Sequence, residues 1–414
     1  MEEIPGIRQV PRTGVIYVMH EAGKKGFVYG SQDWANLGQG SPETGELEGA
    51  PPRIQQLNLD PSQHSYGPVE GALQLRRKVA EFYNQLYRKG KKSQYTYKNV
   101  SLAGGGRVAL TRLAASIAPC NMGHFIPDYT AYEELLANFR SFIPIPILLD
   151  RDRGYRIDRD TLEREVEGRG LRLVLISNPC NPTGQVVEGE ELASWVELAR
   201  TNNCSFVFDE FYSRFLYTGD PGRTVSAAEY VEDVEKDPII LVDGLTKNWR
   251  YPGWRLSWTI GPSKVVEAIA SAGSFLDGGA NHPIQGQAIE LLNPETAHAE
   301  CVAIQRHFKK KRDFVVEKLR ELGIRPASEP RGAFYVWVDL SSLPQSLRSG
   351  IDFFRAALEE RVITVPGVFF DVNPGRRRAH SRFDSLCRIS YGPPLPELER
   401  GMAGLGRVVE RAKG

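Results

Sequence analysis

The chain has 414 residues, of which 41% are apolar and 25% charged, and its formal net charge is +1. This length allows more than one domain, and this composition is typical of a soluble globular protein. The near-neutral charge argues against nucleic acid or an anionic membrane as a partner, and no apolar run approaches the roughly 20 residues of a membrane-spanning helix. The five cysteines are scattered without a CxxC pair. We therefore expect reduced thiols in a cytoplasm, with no disulfide framework and no metal site.

Predicted strands and helices alternate over much of the chain. Residues 40–68 are rich in Gly, Pro, Ser and Glu, which indicates a loop, and apolar residues at helical spacing predict an amphipathic helix over about 69–89. From about 100 to 265, helical stretches alternate with short apolar runs, such as residues 172–177, 205–210 and 239–244. This alternation predicts an α/β fold in which helices cover both faces of a mostly parallel sheet.

A less regular pattern begins near residue 300. A long helix that contains Ile304 and Leu319 is expected to end at Gly323. The elements expected after it are strands at 333–339, 362–366 and 387–392, a helix near 351–360 and a closing helix that carries Leu398 and Val409. This pattern indicates a second, smaller α+β domain, and it leaves open which domain the N-terminal segment joins.

Polar groups follow three of the predicted strands. The sequence NPCNPTG (178–184) follows the first, Asp209 and Glu210 close the second, and Lys247 comes shortly after the third. Taken singly, they are typical of a turn, a helix cap and a solvated charge. In open α/β sheets, however, ligands bind at the carboxyl ends of strands, so their occurrence together in this order indicates a site.

These residues and four further segments carry a resemblance to a known family. The matching segments are NLGQGSPETG (36–45), SYGPVEGALQLR (65–76), AGGGRVAL (103–110), NPCNPTG (178–184), FDEFY (208–212), TKNWRYPGWRLSW (246–258) and CRISYG (387–392). The chain resembles the class I/II aminotransferases of fold type I, similar to aspartate and tyrosine aminotransferases, which use pyridoxal 5'-phosphate (PLP). NPxNPTG, DExY and K-x7-R in this order are together a highly specific signal.

The resemblance implies an architecture. A large PLP-binding domain is expected over residues 65–299, with a mostly parallel seven-stranded sheet flanked by helices, and a smaller α+β domain over 300–414. Residues 1–64 would form an N-terminal segment that contributes to the small domain and to the rim of the active site. The resemblance also implies a homodimer in which the two subunits share their active sites.

The resemblance assigns roles around the cofactor ring, which acts as an electron sink. Lys247 would hold PLP as a Schiff base (an aldimine) and serve as general base, for which its pKa must be lowered. Asp209 would pair with the pyridine nitrogen and keep it protonated. Tyr212 and Asn181 would donate to the phenolic oxygen, and Tyr129 occupies the place of an aromatic residue that stacks on the ring.

The resemblance also implies which residues would bind the phosphate and the substrate. The phosphate ligands would be the guanidinium of Arg255, the hydroxyl of Thr246, the backbone N–H groups of Gly106, Arg107 and Val108, and Tyr66 of the neighbouring subunit. Arg388 would bind the substrate's α-carboxylate through two parallel hydrogen bonds. Gly40 would let the backbone approach the substrate, and Asn181 would lie beside it.

Three positions depart from the family pattern. Gly244 stands where relatives often have a serine that binds the phosphate, and Arg250 stands where they are usually apolar, so it adds a cation near the site or on its rim. Asp277 aligns loosely with an arginine that binds the second carboxylate of dicarboxylate substrates. It is either a turn residue or a carboxylate that faces the substrate, and in the second case we expect a preference for cationic side chains.

The expected reaction is transfer of an amino group from an L-amino acid to a 2-oxo acid by ping-pong steps. The same scaffold also hosts elimination, replacement and ring formation. The alternative is therefore a specialised PLP lyase or cyclase that acts on a cationic or S-adenosylmethionine-like amino acid. A non-catalytic effector-binding domain is a third reading, which the complete set of catalytic residues disfavours.

Overall fold

The structure is a computed structural model that describes residues 5–6, 12 and 14–414. The predicted N-terminal segment lies outside the described residues at positions 1–4, 7–11 and 13. The α-helices are α1 (Gly14–Lys24), α2 (Leu73–Tyr87), α3 (Gly106–Ser116), α4 (Ala131–Asn138), α5 (Arg159–Gly168), α6 (Gly189–Thr201), α7 (Leu245–Asn248), α8 (Ser263–Leu276), α9 (His282–Leu291), α10 (Pro294–Glu321), α11 (Gly350–Glu359) and α12 (Leu395–Lys413). The β-strands are β1 (Ala35–Asn36), β2 (Val100–Ala103), β3 (Cys120–Ile126), β4 (Phe142–Leu148), β5 (Leu171–Ser177), β6 (Ser205–Asp209), β7 (Ile239–Gly244), β8 (Ser257–Ile260), β9 (Arg325–Pro326), β10 (Tyr335–Asp339), β11 (Val362–Ile363), β12 (Val365–Pro366) and β13 (Leu386–Ser390).

Seven strands form a large sheet in the order β2-β8-β7-β6-β5-β3-β4. Strands β3 to β7 pair in parallel, whereas β8 runs antiparallel to both of its neighbours. The central strands are buried along almost their whole length, because helices cover both faces of the sheet. The predicted α/β fold with a mostly parallel seven-stranded sheet is confirmed.

A smaller α+β unit follows the large sheet. Strands β12, β13, β10 and β9 form a four-stranded antiparallel sheet, and β1 of the N-terminal segment pairs in parallel with β11. Residues 35–36 therefore join the small unit, a choice that the pattern left open. The division at residues 64 and 299 stays a prediction, since α10 crosses residue 299 without a break.

Most predicted elements occur close to their expected positions. The runs at 172–177, 205–210 and 239–244 form β5, β6 and β7. The long helix α10 starts earlier than its apolar spacing predicts, because Asn293 caps it by accepting hydrogen bonds from the first N–H groups and Pro294 occupies the first position.

Three kinds of feature are absent from the described part of the chain. None of its helices is long and apolar enough to cross a membrane. Its five cysteines form no disulfide. It also contains no cluster of three or more His, Cys, Asp or Glu side chains that could hold a metal ion.

Arg250 fastens the N-terminal segment to α10. Its side chain is fully buried, and its Nε donates a hydrogen bond of 2.8 Å to Glu300 Oε1. One terminal nitrogen donates to the carbonyl oxygens of Glu43 (3.1 Å) and Gly45 (2.6 Å), and Arg53 adds a hydrogen bond to the carbonyl oxygen of Arg250. Arg250 is thus a structural cation that joins three parts of the chain, and it does not line the active-site cavity described below.

We expect Arg250→Met to lower the free energy of unfolding by about 3 kcal/mol, because it leaves the buried Glu300 carboxylate with one weaker partner. Denaturant titration measures this change. The control is Arg355→Met, which removes an exposed guanidinium 3.6 Å from Asp352 and should cost about 0.5 kcal/mol or less. Equal losses in both variants would show that Arg250 has no special structural role.

Candidate active site

A cavity of about 610 Å³ lies at the carboxyl ends of β5, β6 and β7, and α1 and the small unit complete its wall. The predicted site residues that line it are Gly40, Gly106, Arg107, Tyr129, Asn181, Asp209, Tyr212, Thr246, Lys247, Arg255 and Arg388. The structure therefore brings together most of the residues that the sequence singled out. Val108, Tyr66 and Asp277 do not line the cavity of their own chain.

Lys247 lies on α7, a single helical turn that is too short to be stable alone. The neighbouring Asn248 anchors this turn, since its amide nitrogen donates to Asp243 Oδ1 (2.7 Å) and Ser213 Oγ (2.9 Å). The Lys247 Nζ donates a hydrogen bond to the carbonyl oxygen of Gly40. The amine is thus held in a fixed place beneath the loop that contains Gly40.

The surroundings of Lys247 disfavour its charged form. Burial lowers the pKa of its amine to about 7, and the nearby guanidinium groups of Arg255, Arg388 and Arg107 act in the same direction. Asp209 opposes this shift more weakly. A large fraction of the amine is therefore neutral near pH 7, which both a nucleophile and a general base require.

Asp209 presents a buried carboxylate to the same cavity. The hydroxyl of Tyr132 donates to its Oδ2 at 2.6 Å, and the backbone N–H of Phe211 donates to its Oδ1 at 3.4 Å. Burial raises the pKa of Asp209 to about 6, and these hydrogen bonds limit the rise. No ion pair within the described residues uses this carboxylate. A carboxylate that is ionised above about pH 6 in such surroundings fits a protonated ring nitrogen as its partner.

A guanidinium group, a hydroxyl group and the start of a helix supply hydrogen-bond donors near Lys247. Arg255 donates to the carbonyl oxygen of Pro252 at 2.9 Å and forms no ion pair with the described residues. The hydroxyl of Thr246 is buried and has no hydrogen-bond partner among the described residues. Helix α3 begins at Gly106, and N–H groups in the first turn of a helix lack intrahelical partners. This donor set fits a phosphate group.

One detail near the start of α3 differs from the sequence expectations, and a second gives a steric reason for the glycine at position 244. The N–H of Val108 donates to the carbonyl oxygen of Gly105 at 3.0 Å, so it is already occupied. A Cβ atom at Gly244 would lie 2.6 Å from the carbonyl oxygen of Leu256 and from the Cα of Ser257. Strand β8 therefore fills the space that a serine would need, and Thr246 is left as the hydroxyl of this loop.

Arg388, on β13 of the small unit, also lines the cavity. It is buried, and its terminal nitrogens donate to Asn181 Oδ1 (2.9 Å) and to the carbonyl oxygen of Gly38 (2.5 Å). It has no carboxylate partner among the described residues, and its Nε is unpaired. A buried guanidinium without an anion fits a carboxylate that enters from the cavity.

Two tyrosines of the site were not found from the sequence. The hydroxyl of Tyr132 donates a hydrogen bond to Asp209. The hydroxyl oxygens of Tyr335 and Tyr212 lie 2.7 Å apart. The spacing of three residues between Tyr129 and Tyr132 could have indicated the first, because such residues lie on one side of a helical turn. Nothing in the sequence links the strand that carries Tyr335 to Tyr212.

The loop that contains Gly40 is tied to α10 through Glu43. Its Oε2 lies 2.7 Å from His307 Nε2 and accepts a hydrogen bond of 3.1 Å from Lys311 Nζ, which also donates to the carbonyl oxygen of Gly392. Burial raises the pKa of Glu43, but the interactions with His307 and Lys311 outweigh burial and lower this pKa to about 2. Glu43 is therefore ionised over the physiological range and holds the loop in place.

Asp277 lies at the end of α8, away from the cavity. Arg112 donates to both of its carboxylate oxygens, through Nε at 2.7 Å and through a terminal nitrogen. The N–H of Gly279 donates to Oδ1 at 2.9 Å. Because Arg112 is fully buried, this carboxylate already neutralises a cation of its own chain.

The geometry can now be compared with known proteins. A family model described as aminotransferase class I and II matches residues 32–404. The chain belongs to this family. It is 28% identical over 354 residues to an aspartate/prephenate aminotransferase of Thermus thermophilus, with 84% of each chain covered. It is 26% identical over 359 residues to the transaminase BacF of Bacillus subtilis, with 85% of each chain covered.

Solved structures of aminotransferases share the fold. The aspartate aminotransferase from Thermus thermophilus with maleate superposes with a TM-score of 0.78 at 23% identity, over 97% of this chain and all of the other. An aminotransferase from Mycobacterium tuberculosis gives a TM-score of 0.79 at 23% identity, over 99% and 100%. The chain is a PLP-dependent aminotransferase, as the resemblance implied, and the alternative of a lyase or cyclase is not favoured.

We expect Lys247 to react with amine reagents at unusually low pH. In protein stripped of cofactor, reductive methylation should rise through pH 7, because the amine is neutral above its pKa of about 7. Peptide mapping by mass spectrometry measures labelling at each lysine. Lys318 is the control, since its hydrogen bond to Glu321 raises its pKa above the ordinary value. A Lys247 profile as alkaline as that of Lys318 would contradict the prediction.

Proposed function

We propose that this aminotransferase works as a cytoplasmic homodimer and takes its amino group from L-amino acids with acidic or uncharged side chains, for transfer to a 2-oxo acid. One observation carries the assignment of its site. Lys247, with an amine pKa of about 7, shares one cavity with the buried carboxylate of Asp209 and with the guanidinium of Arg388, which has no carboxylate partner among the described residues. The absence of disulfides among its five cysteines supports a reducing compartment.

Asp209, Tyr129, Thr246 and Arg255 are among the residues that would hold the cofactor. Asp209 would hold a proton on the ring nitrogen, and Tyr129 would lie against the ring. The phosphate would take the guanidinium of Arg255, the unpaired hydroxyl of Thr246 and the first N–H groups of α3. When bound, PLP supplies an electron sink that stabilises negative charge on the substrate's α-carbon.

The protein groups would then orient the substrate and move one proton. Arg388 would bind the α-carboxylate, and its bond to Asn181 fixes the plane of the guanidinium. Lys247 would hold the cofactor covalently and, as the general base, carry the proton that leaves the substrate's α-carbon. The carbonyl of Gly40 would keep the Lys247 Nζ within reach during this transfer.

The charges of the cavity support the proposed substrate class. Among the described residues that line it, Arg107, Arg255 and Arg388 are cationic, Lys247 is only partly protonated near pH 7, and Asp209 alone is acidic. Once cofactor and α-carboxylate are bound, Arg107 has no assigned anion. Apolar side chains of α1 form part of the remaining wall. A second cation on the substrate would be repelled here, whereas an acidic or apolar side chain would not.

We expect aspartate, leucine or phenylalanine to exceed arginine and lysine as amino donors by about tenfold or more in kcat/KM, because like charges repel in a buried cavity. The measurement is the change in visible absorbance as each amino acid converts the bound cofactor to its amine form. Lys247→Ala, which lacks the covalent attachment, is the control and should not complete this conversion. Arginine or lysine as the best donor would contradict the proposed class.

Asp277→Asn separates this proposal from the earlier cationic hypothesis. The carboxylate is bonded to Arg112, so the substitution should lower stability by about 1–3 kcal/mol and leave the ranking of amino donors unchanged. A changed ranking would show that Asp277 faces a substrate after all.

An exposed apolar surface supports the homodimer. Leu59, Tyr66 and Phe275 are 54%, 99% and 74% exposed in the single chain. Residues 58 and 65 bond to side chains of α9, and Phe275 lies near the end of α8, which α9 follows in the chain. Large exposed apolar side chains in one region mark protein–protein interfaces. We propose that Tyr66 reaches the phosphate in the neighbouring subunit.

We expect Tyr66→Phe to weaken PLP binding about tenfold, which corresponds to loss of one hydrogen bond to a charged group. In an isolated chain this change should not affect PLP binding, because the side chain is exposed and does not line its own cavity. Equilibrium dialysis gives the affinity and sedimentation gives the mass. Tyr97→Phe, which does not touch the cavity, is the control. An active monomer would overturn the proposal.

A further inference from the structure

Tyr335 lies where three parts of the active site meet. It is fully buried in β10 and lines the cavity, and its hydroxyl oxygen is 2.7 Å from that of Tyr212. A Cβ atom at Gly40 would lie 2.7 Å from the same hydroxyl. The loop whose Gly40 carbonyl accepts the hydrogen bond from Lys247 therefore packs directly against Tyr335. None of the roles proposed so far uses this hydroxyl.

The Tyr335 ring also supports Arg388. The guanidinium carbon of Arg388 lies 4.3 Å from the ring centroid, which is the geometry of a cation–π contact. Burial raises the pKa of Tyr335 to about 12, and the Arg388 charge limits the rise. The hydroxyl is therefore protonated at neutral pH, and the neighbouring cation makes it a better hydrogen-bond donor.

The direction of the bond between the two hydroxyls follows from counting hydrogens. Each tyrosine hydroxyl has a single hydrogen to donate. If Tyr212 gives its hydrogen to the cofactor's phenolic oxygen, the bond between the tyrosines must be donated by Tyr335. A hydroxyl that accepts one hydrogen bond donates the next one more strongly, because the chain of bonds is cooperative.

We propose that Tyr335 is a positioning residue, which donates its hydroxyl hydrogen to Tyr212, aims the Tyr212 hydrogen at the cofactor and couples this contact to Arg388. This inference rests on the proposed function and on the role that the resemblance implies for Tyr212, which is to donate to the cofactor's phenolic oxygen. It assigns separate tasks to two parts of one side chain. The hydroxyl acts on the cofactor through Tyr212, and the ring acts on the substrate's carboxylate through Arg388.

The test uses the pH titration of the holoenzyme's visible absorbance, which reports the proton of the bound cofactor without turnover. The midpoint of this titration is the spectroscopic pKa. A donor to the phenolic oxygen favours the anionic form of that oxygen, so loss of the donor raises the spectroscopic pKa. Tyr335→Phe keeps the ring and removes the hydroxyl. We expect it to raise the spectroscopic pKa by about 0.5–1, the equivalent of one weakened hydrogen bond, and to lower kcat while KM changes less than about twofold.

Two further variants make the test specific. Tyr335→Leu also removes the ring, so KM for the amino acid should rise severalfold in addition. Tyr391→Phe is the matched control, since Tyr391 is equally buried, donates to the carbonyl oxygen of Ala333 at 3.3 Å and does not line the cavity. It should leave the spectroscopic pKa unchanged. Circular dichroism melting establishes that each variant is folded.

A double-mutant cycle with Tyr212→Phe decides whether Tyr335 acts through Tyr212. If it does, the double variant has the spectroscopic pKa of Tyr212→Phe alone, because Tyr335 has nothing left to orient. Additive shifts, or no shift in Tyr335→Phe beyond that of Tyr391→Phe, would overturn the inference. An unchanged pKa in Tyr212→Phe itself would instead refute the proposed role of Tyr212, and the inference would fall with it.

Discussion

The amine of Lys247 is buried close to three guanidinium groups, and the organisation of the cavity follows from this arrangement. An ammonium ion there lacks hydration and is repelled by its neighbours, so the pKa of Lys247 falls to about 7. Two of these guanidinium groups are also the proposed binding sites for anions. In the proposed function, Arg255 meets the phosphate and Arg388 the α-carboxylate, so the groups that recognise the ligands also activate the lysine.

Burial acts in the opposite direction on Asp209, which among the described lining residues is the only carboxylate. It raises the pKa of Asp209 to about 6, because the charged form of any group is disfavoured away from water. The hydrogen bonds from Tyr132 and Phe211 limit this rise and keep the carboxylate ionised at neutral pH. The cavity thus separates one negative group from several positive ones, which matches a cofactor with a protonated ring and an anionic phosphate.

Hydrogen bonds between residues far apart in the chain fix the loop of residues 40–45 relative to Lys247. Arg250 joins the carbonyl groups of residues 43 and 45 to Glu300, and Glu43 joins the same loop to His307 and Lys311 of α10. The carbonyl of Gly40, on this loop, reaches back to Lys247. The active site is therefore assembled from the N-terminal segment, the large sheet and the small unit, and its geometry depends on how tightly these are fastened together.

The sequence by itself determined the large sheet and the residues that lie at its strand ends. Asp209 ends an apolar run, whereas Asn181 and Lys247 come shortly after such runs. Parallel strands end at one edge of a sheet, so local pattern was enough to bring the three residues together. Tertiary structure decided the remainder. Tyr335 reaches Tyr212, Asp277 pairs with Arg112, and Arg250 is buried against Glu300, although the residues of each pair are distant in the chain. Burial and charge pairing across the fold set these contacts, and no local spacing encodes them.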